Sequence, residues 1–207
     1  VKEGPVSRVA RIVFASNRDG HWGIYQINAD GSGEKKLSRG SADETYPCPS
    51  PDGKHIVYQS NASGIFNVHV MDSDGSNAKN LTHSPVSDGF PAWSPDGKKI
   101  LFSSQRSRGV GKQDLCVMDA DGSHVQILTN VGDWNAESAW SPDGKKIAFR
   151  SDREERDLLY VMNVDGSNLK RISPLRGLHK SPAWSADGKK VVFSLTLPKN
   201  IADSAIF

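Results

Sequence analysis

The sequence predicts an all-β fold: a β-propeller of four-stranded antiparallel blades, about five blade units with the last incomplete. Two observations carry that expectation. Ser-Pro-Asp-Gly-Lys stands at 50–54, 94–98 and 141–145, with Ser-Ala-Asp-Gly-Lys at 185–189, in steps of 44, 47 and 44 residues. Asp-Gly-Ser keeps the same beat, beginning at Asp30, Asp74, Asp121 and Asp165. A period of roughly 40–45 residues with strand-like content marks propeller blades.

Within one period the four strands, a to d from the inside outward, follow from local chemistry. Strand a is marked by Pro91-Ala92-Trp93, Ser138-Ala139-Trp140 and Pro182-Ala183-Trp184, with Pro49 in place of the Trp in the second unit. The Pro-Asp-Gly turn follows, its Pro fixing φ and its Gly free to take positive φ. Strand b is continuously apolar: Ile12-Val13-Phe14, Ile56-Val57-Tyr58, Ile100-Leu101-Phe102, Ile147-Ala148-Phe149 and Val191-Val192-Phe193. Such runs suit a strand covered on both faces, as a blade between two neighbours must be. Strand c (residues 23–27, 67–71, 114–118 and 158–162) runs into an Asx-x-Asp-Gly hairpin signal. Strand d is short, polar and lysine-bearing in most units, which suits an exposed outer edge. The blade units are thus 1–38, 47–82, 91–129, 138–173 and 182–207. The extra three residues of the 47-residue step fall in the b–c loop, around Arg106-Ser107-Arg108.

The stretches Pro-Ala-Trp-Ser-Pro-Asp-Gly-Lys-Lys-Ile and Val-Met-Asp-Ala-Asp-Gly-Ser, with Ser16-Asn17-Arg18-Asp19-Gly20 between strands b and c, resemble the TolB-type propeller repeat. That repeat is a bacterial relative in shape of the WD repeat. The resemblance spans residues 9–195 and implies a binding platform in the periplasm or outside the cell. It also implies alternatives, because related propellers accompany peptidase domains, act as polysaccharide lyases or form structural arrays in surface proteins, and fold alone does not fix function. The chain has five strand-b signals but four of strands c and d, and Ser204-Ala205-Ile206-Phe207 resembles the start of a fifth strand c. An unfinished ring belonging to a larger propeller is the expectation; a closed ring of four or five blades is the alternative.

Composition narrows the partners. Net charge is +2 in 207 residues with both signs mixed, and the Lys-Lys pairs after the turns read as solvated strand starts, so no nucleic-acid partner is expected. No 18-residue apolar span predicts membrane insertion, and no signal-peptide pattern opens the chain, so localisation rests on the resemblance. Cys48 and Cys116 occupy non-matching strand positions and read as free thiols. Gly-x-Ser-x-Gly and His-Glu-x-x-His are absent, and 72–77 opens like a calcium loop but lacks its Gly and Glu. No catalytic residue, cofactor or metal is expected; the partner is a protein or peptide, with carbohydrate as a further class.

Candidate contacts therefore come from the face that carries the d–a and b–c loops, where residues vary from unit to unit. They are Trp22, Phe66, Arg106, Arg108, Arg153 and Arg156 from b–c loops, and Tyr46, Phe90 and Trp134 from d–a loops. Aromatic and Arg side chains on a rigid scaffold are the usual composition of contact hot spots, although aromatics at these places can equally fill gaps between blades. Counting six back from each turn Ser gives Glu44, Asp88, Asn135 and His179, equivalent points just before strand a that are expected to line the mouth of the channel. Short polar side chains at a strand entry also bind nearby backbone groups, so a purely structural ring is the competing reading.

Overall fold

The computed structural model describes residues 10–106, 112–129, 133–154, 157–173, 178–196 and 205–206. These residues form five antiparallel sheets in chain order and no helix. The first sheet is β1 (Arg11–Ser16), β2 (Gly23–Asn28) and β3 (Lys35–Lys36). The second is β4 (Glu44–Pro49), β5 (His55–Ser60), β6 (Asn67–Asp72) and β7 (Lys79–Asn80). The third comprises β8 (Asp88–Trp93), β9 (Lys99–Ser104), β10 (Asp114–Asp119) and β11 (Gln126–Ile127), and the fourth β12 (Asn135–Trp140), β13 (Lys146–Ser151), β14 (Leu158–Asn163) and β15 (Lys170–Arg171). The fifth is β16 (Leu178–Trp184), β17 (Val191–Thr196) and β18 (Ala205–Ile206). In each complete sheet the strands pair in sequence order, a meander of four strands, and β18 pairs with β17 where a fifth strand c was expected. The inner strands start about a turn's length upstream of the Trp-bearing stretches that signal them.

The repeated turn motif is explained atom by atom. Ser50 Oγ donates to Asp52 Oδ1 at 2.7 Å, the same carboxylate oxygen accepts from Lys54 N, and Ser50 Oγ accepts from His55 N at 2.9 Å. The same three bonds recur at Ser94, Ser141 and Ser185. These side chains take over the backbone groups that a tight turn leaves unpaired. At the c–d hairpin the glycine has a second role. Gly75 sits at φ +89°, and a Cβ there would lie 2.5 Å from the Leu37 carbonyl oxygen of the preceding blade; Gly122 meets Leu81 in the same way. Left-handed backbone and close approach both demand Gly.

The core is a series of layers between sheets. Ile24, Leu37, Ile56, Tyr58 and Met71 fill the first layer. Val57, Val68, Phe102, Cys116, Met118 and Trp93 fill the second, and Leu101, Leu115, Ile147, Phe149, Tyr160 and Met162 the third. The indoles lean on the preceding blade: Trp140 Nε1 donates to Ala92 O and Trp184 Nε1 to Ala139 O, both at 3.2 Å. Trp93 is buried whereas Trp140 and Trp184 are half-buried. With Pro49 at the equivalent point, the first layer has no indole. Trp93→Ala should therefore cost about 3–5 kcal/mol in chemical denaturation, with smaller losses for Trp140→Ala and Trp184→Ala. Equal, small effects at all three would contradict this packing.

Candidate functional site

The four positions found by counting back from the turn are the joints between blades. Each sits at the entry to an inner strand, and its backbone N–H crosses to the preceding blade. Glu44 N donates to Trp22 O, Asp88 N to Phe66 O and Asn135 N to Gln113 O, each at 2.9 Å, and His179 N to Asp157 O at 3.3 Å. Side chains reinforce the joint: Asn135 Nδ2 donates to Gln113 O at 3.0 Å, and His179 Nδ1 lies 2.8 Å from Asp157 O. All four residues are buried. The spacing thus places all four at one equivalent point, where they are buried; Asn135 and His179 bond the preceding blade through their side chains, whereas Glu44 Oε2 has no hydrogen-bond partner.

Arginine completes the joint in two blades. Arg106 Nε donates to Ser104 Oγ at 2.9 Å, its Nη2 reaches Asp88 Oδ2 at 2.6 Å, and its guanidinium lies 5.5 Å from the Phe102 ring centroid. Arg153 repeats this with Ser151 at 3.0 Å, Asn135 Oδ1 at 3.1 Å and Phe149 at 5.5 Å. Arg106 and Arg153 therefore fasten strand b to strand a. Arg108 and Arg156 lie outside the described residues.

The inner strands also share a backbone irregularity two residues further on. Each inner strand carries a β-bulge whose residue is left-handed: Tyr46 (φ 52°), Phe90 (φ 53°), Glu137 (φ 50°) and Ser181 (φ 51°). Bulges re-aim a side chain out of the sheet's alternation, and non-glycine residues held at positive φ concentrate at functional positions. The Tyr46 and Phe90 rings meet with centroids 4.5 Å apart, and Tyr46 is 50% exposed. Burial, and after it the charge of Glu137, raises the Tyr46 phenol above its ordinary value. Glu137 Oε2 accepts from Ser181 N at 2.6 Å, and Arg150 bridges Glu137 at 2.8 Å and Asp157 at 2.9 Å. The bulge positions thus carry an aromatic pair on the second and third blades and an ionic cluster on the fourth, which Ser181 of the fifth joins. Glu137, Arg150 and Ser181 were not singled out from the sequence, although counting four back from each turn Ser would have found the bulge set.

The remaining loop aromatics divide. Trp22 is 42% exposed, while Phe66 and Trp134 are half-buried. On the opposite, turn-bearing face lies a cleft of about 1130 Å³ between the second and third blades, lined by Pro51, Met71, Leu81, Trp93 and Asp121 among others. It is distant in the fold from the varied loops. Both cysteines are free, and burial pushes the Cys116 thiol up to about 12. Among the described residues, no three His, Cys, Asp or Glu side chains converge as a metal cluster would.

A family model described as the TolB beta propeller domain matches residues 8–106 and again 82–203. The chain belongs to the TolB β-propeller family. Among solved structures it is similar to a protein described as TolB from Agrobacterium tumefaciens, at 26% identity and TM-score 0.78 over 86% of this chain and 68% of that one. TolB from Acinetobacter baumannii aligns at 24% identity and TM-score 0.80 over 95% of this chain and 49% of that one. An oligogalacturonate lyase from Vibrio parahaemolyticus shares the fold at 16% identity and TM-score 0.68, over 95% and 58%. The chain therefore spans about two thirds of one TolB structure and half of the other. No curated protein matches it significantly.

Glu44 gives the site a pH signature. Burial pushes its carboxyl up to about 7, against a lowering by the Ser38 hydroxyl and Lys36, and its Oε2 is buried without a hydrogen-bond partner. A raised carboxyl keeps its proton in the folded chain after the unfolded chain has released it, so stability falls as pH rises from about 4.5 to about 7. Glu44→Gln should remove that slope, its unfolding free energy gaining on the parent's across the window. Parallel pH profiles for the two proteins would contradict the assignment.

Proposed function

We propose that the chain is a non-catalytic binding platform that recognises a protein or peptide through the face of d–a and b–c loops around the channel. The observation that carries this is the bulge set, four equivalent backbone positions with four different side chains: the exposed Tyr46 ring against the half-buried Phe90, a carboxylate held by Arg150, and a hydroxyl. Identical scaffolding with varied presentation suits an asymmetric partner. Aromatic surface offers a large contact area at low entropic cost. Trp22, Tyr46 and Phe90 form the apolar part of the proposed contact, flanked by Glu137, with Arg106, Trp134 and the buried Glu44, Asp88, Asn135 and His179 holding the wall behind it. Arg108 extends the proposed surface by sequence position. Membership in the TolB family supports a protein partner and a periplasmic or extracellular setting, and no helix of the described residues is long and apolar enough to cross a membrane. A carbohydrate ligand is the second reading, favoured by the exposed Tyr46 ring near the Glu137 carboxylate and by the fold shared with a lyase.

Asn tolerates the left-handed region that Tyr46 and Phe90 occupy, so Tyr46→Asn with Phe90→Asn removes the rings and keeps the bulges. In crosslinking to envelope proteins of a TolB-bearing bacterium, the double variant should keep its β spectrum and lose specific adducts at least tenfold. A folded variant with an unchanged adduct pattern would overturn the proposed face.

A further inference from the structure

Three seams between consecutive blades open as clefts on the turn-bearing face, and the one between the second and third blades departs from the other two. It encloses about 1130 Å³, against about 400 Å³ between the third and fourth blades and about 590 Å³ between the fourth and fifth. Substitutions across the repeat account for part of that room. Ala120 lines the larger cleft, and Val164, 44 residues on, lines the next. His55 stands where the following units carry Lys99, Lys146 and Lys190. The indole differs as well. Trp93 lines the cleft and is 9% exposed, and its Nε1 has no hydrogen-bond partner, whereas Trp140 and Trp184 donate to carbonyls of the preceding blade.

Charge separates the clefts further. The buried part of the lining is apolar, with Val70, Met71 and Trp93 beside the half-buried Leu81. Around it stand four carboxylates, Asp52 and Asp72 from the second blade and Asp96 and Asp121 from the third. The hydroxyls of Ser50, Ser94 and Ser123, and after them backbone N–H groups, hold the Asp52, Asp96 and Asp121 carboxyls below their ordinary value. All three are exposed, and their turn bonds engage Oδ1 in each case. The described lining sets only Lys79 and His55 against them, and His55 Nδ1 already lies 3.2 Å from Asp72 Oδ1. The cleft between the fourth and fifth blades has the opposite character, with Lys146, Lys170 and Lys189 and no Asp or Glu among its described lining residues.

We propose that the cleft between the second and third blades docks a peptide segment of a partner protein in which an apolar side chain adjoins a lysine or arginine. The apolar side chain covers Met71, Leu81 and Trp93, and the cation meets the rim of Asp52, Asp96 and Asp121. Complementary charge fixes the register of such a contact, while apolar burial supplies its driving force. A purely apolar occupant would leave the acidic rim without an opposite charge, and a bare cation would leave the apolar lining in water. A peptide also brings backbone carbonyls, the acceptor that Trp140 and Trp184 find in Ala92 and Ala139 and that Trp93 lacks. The cleft lies on the face opposite the d–a and b–c loops, and its role does not depend on the contact surface proposed there.

The test titrates acetyl-Leu-Lys-Leu-Lys-amide into the intact chain, following the indole N–H resonances of Trp93 and Trp184 and the methyl resonance of Met71. Saturable shifts at Trp93 and Met71, with a Kd on the order of a millimolar, are expected. Binding should be at least fivefold weaker for acetyl-Leu-Glu-Leu-Glu-amide and for acetyl-Gly-Lys-Gly-Lys-amide. Asp96→Asn with Asp121→Asn keeps an oxygen for each turn and should weaken the Leu-Lys peptide at least fivefold. Ala120→Val, which installs the residue of the fourth blade, should weaken it by narrowing the cleft. Equal affinity for the three peptides, unchanged binding in either variant, or shifts centred on Trp184 would each overturn the proposal. So would the absence of saturable binding to the parent chain. Trp93 shifts that follow chain concentration with no peptide present would mean that a second copy fills the cleft, and would overturn it equally.

Discussion

Burial of strands b and c on both faces is the constraint on which the rest of the molecule depends. A sheet made of β5 and β6, with Ile56, Val57, Tyr58, Val68 and Met71 all buried, has no solvent-facing side. It can exist only between two other sheets. The inter-blade layers therefore supply the main apolar burial, and several repeated devices bring neighbouring sheets into register. The backbone bond from each inner-strand entry to the preceding blade sets the height of one sheet against the next, the c–d glycine lets the hairpins close up, and the half-buried indoles cover the seam. Such an assembly behaves as a nearest-neighbour array, in which a unit's stability comes from its interfaces as much as from itself.

Because the scaffold is set by repeated residues, individuality is confined to positions that the repeat does not need. The bulge residue is one: its backbone is fixed at positive φ, yet its side chain ranges over Tyr, Phe, Glu and Ser. Pro49, replacing an indole, and Ala62, replacing a guanidinium, are others, and both lie in the second blade. Two departures from internal symmetry thus fall in that blade, whose bulge carries the exposed Tyr46 ring, while the three-residue insertion falls in the third. A symmetric ring that binds an asymmetric partner needs such departures, since identical blades would offer identical contacts.

Much of the fold was legible because turn chemistry at Ser-Pro-Asp-Gly and Asp-Gly-Ser is local and survives repetition. The outer strands b, c and d follow from uninterrupted apolar runs and their hairpins. Strand a was less legible: its left-handed bulge breaks the period-2 pattern, so the residues at 44–46 and 88–90 do not read as strand. The site was legible in spacing and not in depth. Counting placed Glu44, Asp88, Asn135 and His179 at one equivalent point, but polarity gives no sign that a side chain is turned into a joint between sheets. Arg106 and Arg153 carried the same ambiguity, since a guanidinium on a loop can face a partner or its own strand. The Ser-x-Arg pattern at 16–18, 104–106 and 151–153 is present in the sequence and breaks at Ala62, but its meaning needs the aromatic ring and the strand-a oxygen in three dimensions.

The central claim is that interfaces between blades, rather than sheets in isolation, hold the fold. Native-state hydrogen exchange resolved by residue tests it most directly. Amides of β5, β6, β9, β10, β13 and β14, which lie between two described neighbours, should exchange slowest and together. Those of β1, β2 and β17, each with one described neighbouring sheet, should open earlier. Equal protection of all five sheets, or greatest protection in the first or fifth, would contradict the account.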